Sequence, residues 1–158
     1  MPAIKEEKSL IIAQAATGFY RLALAGWLGG AALFTFVLTP TIFHAFNRDQ
    51  AGAIVGFLFP GYFRWGLGCG LVALVSLVAA RVGRKRLLAG IIGGMLAITA
   101  VQALVIEPRA AALKREIPSF ETTPVDHPLR REFRKLHAFS AIGNLVVIGG
   151  GVTLLILL

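Results

Sequence analysis

The sequence predicts an all-α integral membrane protein, a four-helix bundle, and three observations carry that prediction. Apolar residues make up 56% of the 158 and charged residues only 15%, against roughly 45–50% and 25% in soluble domains. A soluble domain of this size has too little interior to hide so much apolar surface, so the surplus must face lipid. Uncharged apolar stretches then recur four times, each near the ~20 residues that cross a hydrocarbon core. Finally, the sixteen Lys and Arg behind the +8 charge lie almost wholly between those stretches, where membrane proteins keep them. Basic patches can mark nucleic-acid binders, but this distribution argues against nucleic acid as a partner. The chain reads as one domain, 1–158, with spans at about 20–43, 61–80, 87–106 and 138–158.

The first span has no ionisable side chain between Arg21 and His44, and Pro40 is expected to kink its last turn or mark its exit. The segment Met1 to Lys8 does not resemble a secretory leader, because the first long apolar run starts near Phe19 and exceeds the short core of one. It reads as an uncleaved helix. In the second span Arg64 interrupts the apolar run, and Tyr62, Arg64 and Trp65 suit an interfacial anchor. Ala51 to Phe59 is either a short interfacial helix or a bent extension through Pro60. The third span, Leu87 to Ile106, is expected to end at Glu107-Pro108, since a residue before proline is pushed away from helical angles.

A polar 31-residue connection, Glu107 to His137, joins helices three and four. Its prolines divide it, with one short helix expected around Arg109 to Ile117. Pro128 suits a first helical turn, so the fourth helix starts before its span. Leu129, Phe133 and Leu136 would then form an apolar stripe, with Arg130, Arg131, Arg134 and Lys135 toward headgroups. Four spans place both termini on one side. The dense basic turn Arg81, Arg84, Lys85 and Arg86 favours a cytoplasmic side for it and for the termini, although the opposite side carries slightly more Lys and Arg in total. The same four residues are candidates for anionic lipid contact.

Glycines four apart recur in three successive spans: Gly26 with Gly30, Gly66 with Gly70, and Gly90 with Gly94. Such pairs open a groove in which a neighbouring helix can approach closely. Antiparallel folding would bring His44, Tyr62, Arg64, Glu107 and His137 to one membrane face. His137, Ser140 and Asn144 fall at i, i+3 and i+7, a polar stripe running inward. Asn144 lies about two turns deep, where an unpaired amide costs several kcal/mol, so it needs a partner across the bundle.

Two readings of this set stand side by side. One is an interfacial belt, with Asn144 tying helices together. The other is a polar pocket of His44, Tyr62, Arg64, Glu107, His137, Ser140 and Asn144, with His44 and His137 as ligands for haem or a metal ion, or as proton carriers. Two histidines without a fixed spacing are a weak metal signal, and neither an HExxH helix nor a cysteine pair occurs. Cys69, His127 and the aromatic residues Trp27, Phe34, Phe36 and Phe43 read as packing, solvated or lipid-facing groups. No Ser-His-Asp set, nucleotide loop or catalytic carboxylate pair stands out.

Trp27-Leu28-Gly29-Gly30, Phe34, Pro40, Phe43, Phe59-Pro60-Gly61-Tyr62-Phe63, Glu107-Pro108 and Phe133-x-x-x-His137-x-x-Ser140-x-x-x-Asn144 together resemble the transmembrane protein 205 family. The likeness covers most of the chain, from about Tyr20 onward, on short hydrophobic motifs. It implies four membrane helices and a domain without a settled biochemical activity. A more distant likeness to the membrane domain of copper-resistance D-type proteins would draw attention to the His pair, but Met1 and Met95 alone make no methionine-rich copper path. The sequence thus points to a membrane-embedded binding or scaffold protein, not an enzyme. A haem- or metal-binding subunit is the first alternative, and a small-solute or ion transporter the second, disfavoured because no broken-helix repeat is visible.

Overall fold

A computed structural model describes residues 2–157, with side chains from residue 4 onward. It contains four helical rods. The first comprises α1 (Pro2–Ala32), a π-helical stretch (Leu33–Leu38) and α2 (Thr39–Ala45) without a break. The second is α3 (Arg48–Ala79). The third comprises α4 (Lys85–Val101), a second π-helical stretch (Gln102–Ile106) and α5 (Glu107–Glu116), and the fourth is α6 (Pro128–Ile156). Each rod is long and apolar enough to cross a bilayer. The chain is an all-α, four-span membrane bundle.

The helix ends differ in part from those the sequence leads one to expect. Glu107-Pro108 does not end the third helix: Glu107 keeps helical angles (φ −61°, ψ −49°), and the rod runs on to Glu116. A proline ring collides with the carbonyl four residues back and supplies no N–H. The chain avoids that collision by widening the preceding turn, so that the Glu107 N–H bonds the Gln102 carbonyl, five residues back. Pro40 is handled in the same way. The Thr39 N–H bonds the Phe34 carbonyl, and the helix passes through to Ala45 before Phe46 turns extended. Ala51 to Phe59 is the extension through Pro60, part of one continuous α3 capped by the Asn47 side chain on the Gln50 N–H (2.9 Å). The short helix expected around Arg109 to Ile117 is therefore the end of the third rod, and α6 does begin at Pro128.

The rods close a ring: α1 packs on α3, α3 on α4, α4 on α6, and α6 returns to α1. Two apolar clusters fill it. Tyr20, Leu24, Trp27, Leu77, Leu88, Ile92, Met95 and Leu154 lie toward the end that holds both termini. Phe34, Ile42, Ala51 and Val55 lie toward the other end. The outer face is apolar as well, with Phe57 85% and Val78 79% exposed. Exposed apolar surface on this scale belongs against lipid tails.

Two of the three glycine pairs seat an aromatic ring, and the exchange is reciprocal. Trp65 of α3 lies over Gly26 and Gly30 of α1 and donates its indole N–H to the Gly26 carbonyl (3.1 Å). Trp27 of α1 lies over Gly66 and Gly70 of α3. A methyl at Gly70 would stand 2.6–2.7 Å from the Trp27 ring, closer than real carbon contacts. Gly90 and Gly94 meet no neighbouring atom within 4 Å and do not pack a helix. The fourth rod supplies that contact in their place: Gly150 receives Met95 and Gly151 receives Leu28. Gly70→Ala should therefore lower bundle stability by about 1–3 kcal/mol, whereas Gly94→Ala should not lower it and gains helix propensity. Thermal unfolding of both variants in one detergent checks the contrast.

Candidate functional site

Between the two apolar clusters lies a polar layer to which all four rods contribute. Asn144 of α6 is its centre, 9% exposed. Its Oδ1 accepts the Tyr62 hydroxyl at 2.8 Å, and its Nδ2 donates to Thr35 Oγ1 at 3.2 Å. Gln102, 2% exposed, donates from Nε2 to the Ser140 carbonyl at 2.8 Å. The same Nε2 lies 3.3 Å from Ser140 Oγ and 3.5 Å from Asn144 Oδ1. Gly143 makes the room: a Cβ there would come within 3.1 Å of the Gln102 amide. Gln102 Oε1 is buried and receives no hydrogen bond.

The widened turns before the prolines position two of the five side chains of this layer. Thr35 lies inside the first π-helical stretch, and Gln102 opens the second. A turn closed five residues back shifts the helical register by one residue, which re-aims side chains; such turns recur at functional sites. On the rim side, Tyr62 stacks on Phe34 with centroids 4.4 Å apart, and Phe59 and Phe63 extend the aromatic wall. Aromatic walls of this kind keep water from amide hydrogen bonds, which strengthens them.

Of the residues expected to form a pocket, the structure gathers Tyr62, Ser140 and Asn144 and leaves the ionisable ones outside. His44, Arg64 and His137 are exposed, and Glu107 is half-buried. The Arg64 guanidinium turns back to the Pro60 carbonyl (Nε to O 3.1 Å), and His137 stacks on Phe133. Among the described residues no group of three or more His, Cys, Asp or Glu side chains is placed to hold a metal ion. Gln102 and Thr35 were not legible by the criteria that found Tyr62, Ser140 and Asn144, because neither lies at a helix end or on the polar stripe that runs inward from His137. Their signal was present: each is a hydrogen-bonding side chain inside an apolar run, a few residues before a proline.

Above this layer the long connection folds down as a cap. Asp49, in the first turn of α3 and outside the apolar stretch, accepts the Ser119 hydroxyl and the Phe120 N–H, each at 2.6 Å. Glu121 accepts the Arg48 N–H at 2.8 Å, and Ile117 is buried. Those hydrogen bonds, from the Ser119 hydroxyl first and then the Phe120 N–H, hold the Asp49 carboxyl below its ordinary value. Lys114 lays its ammonium over Gly52 and Gly56, beside the turn whose Gly56 carbonyl Pro60 leaves without a helical donor. Arg130 bonds the Thr123 carbonyl and lies over the Phe120 ring, which in turn packs edge-on against Phe133.

Residues 22–119 match the family model described as a domain of unknown function, DUF4149. The chain belongs to the DUF4149 family. An uncharacterized protein of Aquifex aeolicus is 35% identical over 91 residues, an alignment covering 58% of this chain and 66% of that protein. The chain thus spans just under two thirds of that relative's length. No solved structure matches. The family region carries Thr35, Tyr62 and Gln102, while Ser140 and Asn144 lie beyond it.

The two layers can be tested separately. A double-mutant cycle of Tyr62→Phe with Asn144→Leu should return a coupling of at least about 0.6 kcal/mol, the mean for hydrogen bonds between membrane helices, whose maximum is about 1.7. A value near zero would remove the Tyr62–Asn144 bond as a tie. For the cap, Asp49→Asn should speed proteolysis within residues 117–127. The depressed carboxyl pKa sets the pH sense. The contribution of Asp49 is complete above the ordinary carboxylate value, about 4, and is lost as pH falls through the lower folded value. Wild-type cleavage, read with an acid-active protease, should approach the mutant rate only in that acid range.

Proposed function

We propose that this protein is a membrane-embedded binding or scaffold protein, not an enzyme, whose binding element is the polar layer beneath the capped face. The observation that carries the reading is Gln102 Oε1, a buried amide oxygen left without a donor amid a cluster that is otherwise paired. In an apolar bundle an unsatisfied acceptor is costly, and a ligand hydroxyl or N–H would complete it. The chemistry of the layer supports recognition over catalysis. Its members are two amides, two aliphatic hydroxyls and a phenol, groups that hold an uncharged polar molecule without exchanging a proton at neutral pH.

The likeness to the transmembrane protein 205 family fits this reading, since the residues that carry it converge: Phe34, Tyr62, Ser140 and Asn144 meet around one layer. Under the same proposal the termini are cytoplasmic, and Arg81, Arg84, Lys85 and Arg86 meet anionic headgroups.

Wild type and Gln102→Leu, purified in the same mild detergent, should differ in what they carry. Mass spectrometry of extracted small molecules is expected to find a polar species on the wild type, reduced at least tenfold on a folded Gln102→Leu variant. A wild type that carries nothing, or equal loading of both proteins, removes the layer as a binding element.

A further inference from the structure

The opposite end of the bundle carries a second feature, independent of the polar layer. There α1 projects past the end of α3. Lys5, Lys8, Ser9 and Ile12 recur at i, i+3, i+4 and i+7, which places them on one stripe of α1. Together with Ala13 of α1 and Ala79 of α3 they line an open surface notch of about 430 Å³. The corner between the two helices is held rigidly. Thr17 Oγ1 accepts the Arg81 N–H at 3.0 Å while donating to the Ala13 carbonyl at 2.8 Å, so the start of the basic turn is tied to α1 one turn from the notch. The Lys85 ammonium bonds the Val78 carbonyl at 2.8 Å, beside the notch residue Ala79.

The order of chemistry along this corner is that of a phospholipid at an interface. Two lysines and a serine hydroxyl stand at the water side. Ala13 forms a buried apolar floor, and the exposed Ile12, Ala79, Val78 and Val75 lead from it along the helices toward the hydrocarbon. Glu6 and Glu7 are one and two residues beyond Lys5, about 100° and 200° around α1 at 3.6 residues per turn, and neither lines the notch. A second groove, along α6 at the opposite face, mixes Arg131 and Lys135 with Glu132. The geometry points to the Lys5–Lys8 notch as a discrete site for one anionic glycerophospholipid. The phosphodiester is received by the two ammonium groups and the Ser9 hydroxyl, and an acyl chain runs down the Ala79–Val75 edge. This goes beyond general attraction of the basic turn to a charged surface, because it names a stoichiometry and a pair of residues.

The test is native mass spectrometry of the full chain in a nonionic detergent, titrated separately with phosphatidylglycerol, phosphatidylcholine and inorganic phosphate. Circular dichroism and size exclusion confirm the fold of each variant. The wild type should retain one phosphatidylglycerol in preference to phosphatidylcholine. Loss of about fivefold in affinity is expected for each lysine replaced, so Lys5→Gln with Lys8→Gln should weaken retention about 25-fold. Arg131→Gln with Lys135→Gln, which removes the same charge elsewhere, should leave it unchanged. Equal weakening by the two double variants would show only diffuse attraction and overturn the site. Equal retention of phosphatidylcholine would overturn its anionic character. Inorganic phosphate bound as tightly as the lipid, with the same lysine dependence, would reassign the notch to a free anion and overturn the lipid.

Discussion

Asn144 is the group on which the arrangement depends. It carries an amide into an apolar bundle, where no water waits to satisfy it, and each donor or acceptor must find a protein partner. Tyr62 and Thr35 meet its two ends, and Gln102 approaches from the third rod while holding Ser140. Because those partners come from the other three rods, the amide specifies the register and rotation of all four together. Apolar contacts alone would allow rods of similar lipid-facing surface to slide past one another, since lipid tails compete equally for Leu and Val.

The prolines are part of the same solution. Pro40 and Pro108 lie in continuous rods, each preceded by a turn bonded five residues back. Without the widened turns the rings would clash with the carbonyls behind them. With them, Thr35 and Gln102 stand in the polar layer. Backbone accommodation and site construction are thus one event, repeated in the first and third rods. The indole exchange between α1 and α3 serves the neighbouring layer. Each helix offers a glycine groove and a tryptophan, so the two backbones approach closely over the length that leads to the polar layer.

Polarity is graded along the bundle axis. The terminal end holds the larger apolar cluster and the basic turn, the middle holds the amides, and the opposite end holds an aromatic wall under a hydrogen-bonded cap. The ionisable residues His44, Arg64 and His137 remain on the outer surface of the bundle. Burying any of them would require a paired charge or a neutral form, and the interior offers uncharged groups instead.

What the sequence by itself determined is the class and the number of long apolar helices: hydropathy is additive along the chain, so four apolar runs announce four rods before any contact is known. The inward stripe of Ser140 and Asn144 was legible for a similar reason, because helical periodicity is local. Other features were decided by the tertiary structure. Which glycine pairs pack depends on what stands opposite, so Gly66 and Gly70 receive Trp27 while Gly90 and Gly94, with the same spacing, face open space. Whether a proline ends a helix depends on how the backbone around it accommodates the ring, by a widened turn before Pro40 and Pro108 and within a continuous α-helix at Pro60. And the membership of the polar layer follows from rotation of the rods. A residue's charge shows in the sequence, but the direction it points is set by helix rotation, and here rotation turned amides inward and histidines out.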